Sequence, residues 1–388
     1  MSSAPRPGSA GPVQGLRVAL VHGRADPALD GVADYTGRLA DALRAETLDV
    51  VDVGVGVGVR GIVAAARAVR RARPDVVHVQ FAPSAFGFSG APGLLADLLA
   101  GPPLVLTVHE YGWWSWAPRV PDAVWRPVER RGWLDRETGR LVPSSAAVLT
   151  TNDAHDEALR RRLGITATRA PLPPNVDVDP DARGRGVTRR ALGIAEDAEV
   201  VVFFGFVHPV KGLRYLVDAV AKLAVERPRL HLLVVGGFTS LALPAAEAAA
   251  FRAELTEHVE RSGAADRVTI TGHLPATEVS AALQAADVAA FPFTAGVTLK
   301  SGSLLAALDH GLPTLVTDGG DAALGDDDTV VVVGRVRDAD ALTTGLRRLL
   351  ENPALRARVR ARGHALNRGH GWAALARMHA ALYRRVTA

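Results

Sequence analysis

The chain has 388 residues, no cysteine, and 45 basic against 41 acidic side chains, a net charge of +4. That length favours two domains, and a composition 48% hydrophobic and 22% charged supplies two cores and excludes a mainly disordered chain. The absence of cysteine excludes disulfides, thiolate metal sites and cysteine nucleophiles, and fits a reducing cytoplasm; the modest charge does not point to nucleic acid.

Residues 1–14 are rich in Ser, Gly, Pro and Ala, lack the apolar stretch of a secretory signal, and read as a disordered tail. Short apolar runs then alternate with helical patterns. Strands are expected over 17–22, 48–53, 76–81, 104–108 and 147–151, with a helix from Gly31 to Leu43. The near-continuous apolar character of these runs is that of strands buried on both faces of a parallel sheet. The proline- and glycine-rich stretch from Pro171 to Gly186 reads as a linker. A second series follows, with strands expected over 200–204, 230–235, 267–271, 288–291, 314–317 and 329–333. After Gly212, the residues Leu213, Leu216, Val217, Val220, Leu223 and Ala224 lie on one helical face. The fold class is therefore α/β, with two doubly wound sheets expected to face each other across a cleft that holds the ligand at the carboxyl ends of the strands.

Gly56-Val57-Gly58-Val59-Arg60-Gly61 matches the dinucleotide pattern G-x-G-x-x-G by letter. The pattern needs its glycines after the first strand and an acid at the end of the second. Here the glycines follow the second strand and Asp75 precedes the third, so the segment reads as a glycine-rich connection.

Four segments carry chemistry. In Phe204-Gly205-Phe206-Val207-His208-Pro209-Val210-Lys211-Gly212, a strand end, a tight loop and a lysine precede a helix. A cation beside outward-pointing helix amides suits a diphosphate; the bland reading is an exposed loop lysine. In Thr298-Leu299-Lys300-Ser301-Gly302-Ser303, the serines are N-cap types and Gly302 allows close backbone approach, making a second anion cradle or simply a capped helix. Asp30-Gly31-Val32-Ala33-Asp34-Tyr35 places a glycine at the first strand-to-helix turn. Thr107-Val108-His109-Glu110 places a histidine at a strand end, where it serves as a hydrogen-bonding or proton-transfer group or is merely structural.

In this order and spacing the segments resemble the GT-B glycosyltransferases, specifically the large retaining family four of the group 1 type. The resemblance runs from about Arg17 to the C-terminal helix. It includes Asp75-Val76-Val77-His78-Val79-Gln80, Leu106-Thr107-Val108-His109, residues 148–160, Pro174-Asn175-Val176-Asp177, residues 272–287 and Gly311-Leu312-Pro313-Thr314-Leu315-Val316-Thr317. It implies an acceptor-side domain over 15–180, a nucleotide-sugar domain over 181–364, and a helix over 365–388 that returns to the first domain. It further implies that Gly31, Gly205, His208, Lys211, Lys300, Ser301, Gly302 and Ser303 face the donor phosphates. Gly236, Gly237, His273, Leu274, Thr298 and Leu299 would face the donor sugar or nucleotide, and His109 would be the catalytic contact. Two departures stand out. Phe206 replaces the arginine usual after the glycine of the phosphate turn, with His208 the nearest substitute, and Thr298 and Ala306 stand where the family carries two glutamates.

Five of the six tryptophans, at 113, 114, 116, 125 and 133, fall within 21 residues, with Tyr111 and Arg119, Arg126, Arg130, Arg131 and Arg136 interleaved. Aromatic faces pack sugar rings and planar or lipid acceptors, so Tyr111, Trp113, Trp114 and Trp116 are the expected acceptor residues. An aromatic-basic cluster also suits a membrane surface. The expectation is a metal-independent, cytoplasmic or inner-membrane-peripheral transferase. It would move a sugar from a UDP-, dTDP- or GDP-linked donor, a co-substrate with no cofactor, to a small-molecule, glycan or lipid-linked acceptor. A non-catalytic relative binding a sugar nucleotide or a protein partner is the alternative favoured by the missing glutamates. A nicotinamide-dependent oxidoreductase is favoured only by Gly56–Gly61.

Overall fold

The computed structural model describes residues 15–23, 31–238, 244–368 and 371–388. The expected tail over 1–14, and Asp30 of the first glycine turn, lie outside the described residues. The chain divides into two compact units.

The first unit contains Thr36–Arg169 and Ala376–Ala388 together with the first strand. Its described strands are β1 (Arg17–Gly23), β2 (Asp49–Val55), β3 (Val76–Phe81), β4 (Leu104–Val108), β5 (Ala147–Thr150) and β6 (Thr168–Arg169), all parallel, in the order β2-β1-β3-β4-β5-β6. Val18 pairs with Val50 on one side and Val76 on the other. β3 and β4 are buried along their whole length, because crossover helices such as Gly58–Ala72 cover the sheet. The two-residue β6 was not expected; Thr168 and Arg169 carry no apolar run, and pairing with β5 alone defines it.

Gly56–Gly61 follow β2, the edge strand of this sheet. An added Cβ on Gly61 would lie 2.0 Å from the Gly56 carbonyl oxygen, so close local packing accounts for a glycine there. Val57 is 95% exposed. The segment lies away from the reversal of strand order between β1 and β3, where a dinucleotide would bind.

The second unit contains Ala170–Leu375 and the first turn of the helix Gly31–Ala45 as far as Tyr35. Its described strands are β7 (Glu199–Phe204), β8 (Leu230–Val235), β9 (Val268–Ile270), β10 (Val288–Phe291), β11 (Thr314–Thr317) and β12 (Val331–Val333), in the order β12-β11-β10-β7-β8-β9. β9 and β12, the edge strands of this sheet, are shorter than their apolar runs, and each pairs on one side only. At the end of the stretch read as a linker, the helix Arg185–Ala191 begins, anchored by Arg189, whose fully buried guanidinium bonds the carbonyls of Ala285, Glu196 and Ala198 and the Asp287 carboxylate. The helix Leu213–Ala224 buries Leu213, Leu216, Val217, Val220 and Leu223. Each such side chain contributes roughly 1.5–3 kcal/mol.

Candidate functional site

In the second unit the chain runs from β7 outward to β9, then returns to β10 on the other side of β7. The neighbouring carboxyl ends of β7 and β10 form the switch point at which open α/β sheets bind ligands. The loops after these strands carry most of the expected donor residues.

Gly205 directly follows β7 with φ of 137°, and a Cβ there would lie 2.9 Å from the Ser303 hydroxyl. Ser303 is in the first turn of the helix Gly302–Asp309, which follows β10. Ser301 caps that helix by accepting the Leu304 amide at 3.2 Å. The Gly302 and Ser303 amides are its first two, beyond reach of intrahelical carbonyls. The turn after β7 and the N-terminus of the helix after β10 therefore adjoin. Gly302 packs on Asn175, whose Cβ would lie 3.1 Å from a Cβ at the glycine.

Lys211 ends the short 3-10 turn Pro209–Lys211 and enters the helix through Gly212. Gly212 has φ of 69°, and a Cβ there would lie 1.9 Å from the Pro292 carbonyl oxygen, so glycine alone allows β10's exit to pass so close. The Lys211 ammonium sits 3.7 Å from the Phe293 ring centroid, a cation–π contact. Burial pushes Lys211 down to about 8. It remains a cation at neutral pH, yet poorly hydrated, and an anion would relieve that state. The Phe293 contact carries no sequence signal, because it depends on β7 and β10 lying side by side.

His208 caps the same turn, its Nδ1 accepting the Val210 amide at 3.2 Å. Burial and then the neighbouring Lys211 charge lower its pKa below the ordinary value. His208 is therefore neutral at physiological pH and does not replace the charge of the missing arginine.

The turn after β8 closes on the same place. Gly205 donates to Val235 at 3.0 Å and Val207 to Gly237 at 2.9 Å, while Gly236 donates to Gly272 at 3.1 Å. His273 is exposed beside Gly237. Leu274 and Leu299 are partly buried and pack against the hydrophobic core. Thr298 Oγ1 accepts the Lys300 amide at 3.4 Å, and Asp321 accepts the Leu299 amide at 2.9 Å. Lys300 is exposed. Ala306 is fully buried. Asp177-Val178-Asp179 has the spacing of a metal-binding pair, but Asp179 turns one oxygen to the Asp181 amide at 2.9 Å. Among the described residues no group of three or more acids and histidines is placed to hold a metal.

Gly31 opens the helix Gly31–Ala45, and a Cβ there would meet nothing within 4 Å. Internal packing therefore does not demand glycine at this turn.

In the first unit His109 follows β4 and is 8% exposed. Its Nε2 lies 2.8 Å from Gln80 Oε1 on β3. The tryptophan segment rests on a buried polar scaffold. Tyr111 donates to Asp135 at 2.7 Å beneath the Arg162 guanidinium, and Glu137 accepts the Gly112 amide at 2.8 Å and pairs with Arg162. Burial pushes Glu137 up to about 7 despite that partner. Tyr111 and Trp125 are buried and the Tyr111 hydroxyl is taken up by Asp135, so Tyr111 is part of the scaffold. Trp113, Trp116 and Trp133 are 61%, 39% and 62% exposed. Phe88, with φ of 51°, brings its ring to 6.2 Å from Trp113 and 6.1 Å from Trp114. A bulky residue in that backbone region is strained, and nothing in the sequence announces it.

Two family models match: "Glycosyl transferase 4-like domain" over residues 4–176 and "Glycosyl transferases group 1" over 198–352. A D-inositol 3-phosphate glycosyltransferase of Xylanimonas cellulosilytica is 30% identical over 317 residues, 77% of this chain and 69% of that protein. The chain belongs to the group 1 glycosyltransferases. The D-inositol 3-phosphate glycosyltransferase of Kineococcus radiotolerans is 30% identical over 261 residues, 63% of this chain and 58% of that relative, so the match spans a little over half the relative's length. Among solved structures, the sucrose-phosphate synthase of Thermosynechococcus elongatus superposes with a TM-score of 0.71 at 19% identity, covering 96% of this chain and 99% of that one. HepE of Anabaena, in complex with UDP and glucose, superposes at 0.70 and 14% identity, covering 95% and 100%. These are GT-B folds, and this group 1 glycosyltransferase has the two Rossmann-like domains of that class. No described helix is long and apolar enough to cross a membrane.

Proposed function

We propose that this glycosyltransferase uses a nucleotide-sugar donor whose diphosphate is gripped by Lys211, the Gly205 turn and the amides of Gly302 and Ser303. The observation that carries the reading is the approach of Ser303 to Gly205 beside the half-buried Lys211 at the switch point. The chemical problem is departure of a diphosphate from an anomeric carbon. The C–O bond breaks, the leaving oxygens take the charge, and the ring carbon passes through an oxocarbenium-like state. Preorganised donors aimed at those oxygens lower that barrier most. A cation and two free helix amides supply them without a divalent metal. The acceptor hydroxyl attacks the same face, with retention, and its proton passes to the departing phosphate. His109 contacts the donor sugar or orients the acceptor.

HepE was solved with UDP-glucose, which makes UDP sugars the first donors to test here, with dTDP and GDP sugars next. The exposed Trp113 and Trp116 and the half-buried Trp114 form the acceptor platform with Phe88. The acceptor named for the curated relatives, an inositol phosphate, is a first candidate beside glycans and lipid-linked sugars. The exposed aromatics and arginines also suit peripheral contact with the inner face of a membrane. Calorimetric titration of UDP, dTDP, GDP and NAD into wild type and Lys211→Ala tests the donor reading. One nucleoside diphosphate should bind, with affinity reduced about ten- to a hundredfold in the variant; unchanged affinity would remove Lys211 from the site.

A further inference from the structure

The first unit buries a chain of polar side chains that transfer chemistry does not by itself require. His78, Gln80 and Thr107 are fully buried in neighbouring strands, and His379 and Tyr383 are fully buried on the helix Trp372–Thr387. Gln80 Oε1 lies 2.8 Å from His109 Nε2, and Gln80 Nε2 lies 3.1 Å from His78 Nε2. His78 Nε2 is also 2.8 Å from Thr107 Oγ1, and its Nδ1 is 2.6 Å from the Tyr383 hydroxyl. The His379 ring stacks on His78 with centroids 5.4 Å apart. An apolar core would be simpler here, and a buried network is tolerable only when its members satisfy one another.

The donor directions can be worked out. A glutamine amide nitrogen only donates and its oxygen only accepts. Gln80 Nε2 lies 3.1 Å from His78 Nε2 and 3.4 Å from Nδ1, so its N–H groups are turned to the His78 ring, whose two nitrogens also meet Thr107 and Tyr383. A neutral His78 can receive a Gln80 N–H, and burial beside His379 and His109 keeps it neutral. With its amide nitrogen so held, Gln80 can present only its oxygen to His109, and that oxygen accepts only from a protonated Nε2.

We propose that Gln80 is a positioning residue for His109, fixing its ring orientation and the proton on Nε2, with His78 and Tyr383 of the C-terminal helix fixing Gln80 in turn. The nitrogen of His109 through which a proton is gained or lost is then Nδ1. The return of the C-terminal helix to the first unit thereby supplies a part of the site as well as a covering for the sheet. The catalytic consequence rests on His109 touching substrate; the tautomer does not.

The test is ¹⁵N spectroscopy of histidine-labelled full-length protein, with the His109 ring nitrogens assigned by their loss in His109→Gln. Wild type should show His109 as the Nε2–H tautomer. Gln80→Met, close in volume and without hydrogen bonds, should give a mixture of tautomers, whereas Gln80→Glu, which keeps an oxygen facing Nε2, should retain Nε2–H. Tyr383→Phe should blur the tautomer less than Gln80→Met. With UDP-glucose and water as acceptor, Gln80→Met should lower kcat on the order of tenfold to a hundredfold, with KM within about threefold. A wild-type Nδ1–H form, or an unchanged tautomer in Gln80→Met, overturns the proposal. Full turnover in His109→Asn, with the expected tautomers in the Gln80 variants, would overturn only the catalytic reading of His109.

Discussion

Ser303 stands over Gly205, so close that a methyl group on the glycine would lie 2.9 Å from its hydroxyl. The two residues are almost a hundred positions apart, and their approach joins a strand end to a helix N-terminus at the switch point of the second sheet. Gly205→Ala should therefore fail twice, by the collision and by the φ of 137° that alanine disfavours. A loss of roughly 1–3 kcal/mol in stability is expected, with nucleoside diphosphate affinity reduced at least about tenfold. Chemical denaturation and calorimetry check the two effects. Ser303→Gly on the same background should recover only part of the stability, because it removes the collision and leaves the strain.

Lys211 should reveal itself through pH. Its folded value of about 8 is below the ordinary 10.5. Between those values the unfolded chain binds the proton and the folded chain does not, so ligand-free stability should rise with pH across that window. Diphosphate affinity should move oppositely and fall as pH passes about 8, because the bound form needs the ammonium. Lys211→Met should flatten both profiles. It should also stabilise the ligand-free protein by about 1–3 kcal/mol at pH 7, by removing a poorly hydrated charge from beside Phe293. Thermal unfolding with and without nucleotide across pH 6 to 10 measures all of this; a ligand-free stability that falls over that range would refute the half-buried cation.

Lys300→Ala should weaken a nucleoside diphosphate by about tenfold and leave the nucleoside almost unchanged, since only the former carries phosphates. Discrimination between ribose and 2′-deoxyribose should be weak. Thr298 and the fully buried Ala306 offer no carboxylate to accept hydrogen bonds from the hydroxyls. Titrations of UDP, dUDP and uridine against both proteins decide it. A strong ribose preference in wild type would mean that another acceptor reads the sugar.

Trp113→Ala and Trp114→Ala should raise the acceptor KM by about tenfold and leave nucleotide affinity within twofold, on the scale of one aromatic contact. Equal losses for nucleotide and acceptor would assign the platform another role. Vesicle flotation of the same variants separates a sugar platform from a bilayer contact.

Glu137→Ala should be the more damaging change in that segment, although Glu137 touches no expected ligand. It leaves the Arg162 charge over the Tyr111 ring without its carboxylate partner, costing about 3–5 kcal/mol. Tryptophan fluorescence should shift to longer wavelength as the segment loosens, while Glu137→Gln, which keeps an acceptor for the Gly112 amide, should do less harm.

The parallel α/β architecture was legible in the residues alone. Runs such as Val76–Phe81 and Val200–Phe204 are apolar without alternation, and only a strand covered on both faces needs that pattern. The Lys211 turn and the Ser301 cap were legible for a similar reason, since caps and tight turns are local chemistry set within a few residues. What pairing distant segments produces was not legible. Tyr111 and Trp125 share their letters' promise with Trp113 and Trp133, yet the buried Asp135 and the half-buried Arg136 turn the first two inward. His208 looked like a substitute cation until burial and Lys211 left it neutral. Gln80 and Tyr383 are 303 positions apart and reach His78 together only when the last helix lies on the first unit. Periodicity reports which face of an element is buried and local chemistry reports how it begins and ends. Desolvation and long-range hydrogen bonds depend on which other elements cover that face, and that is decided by the tertiary packing.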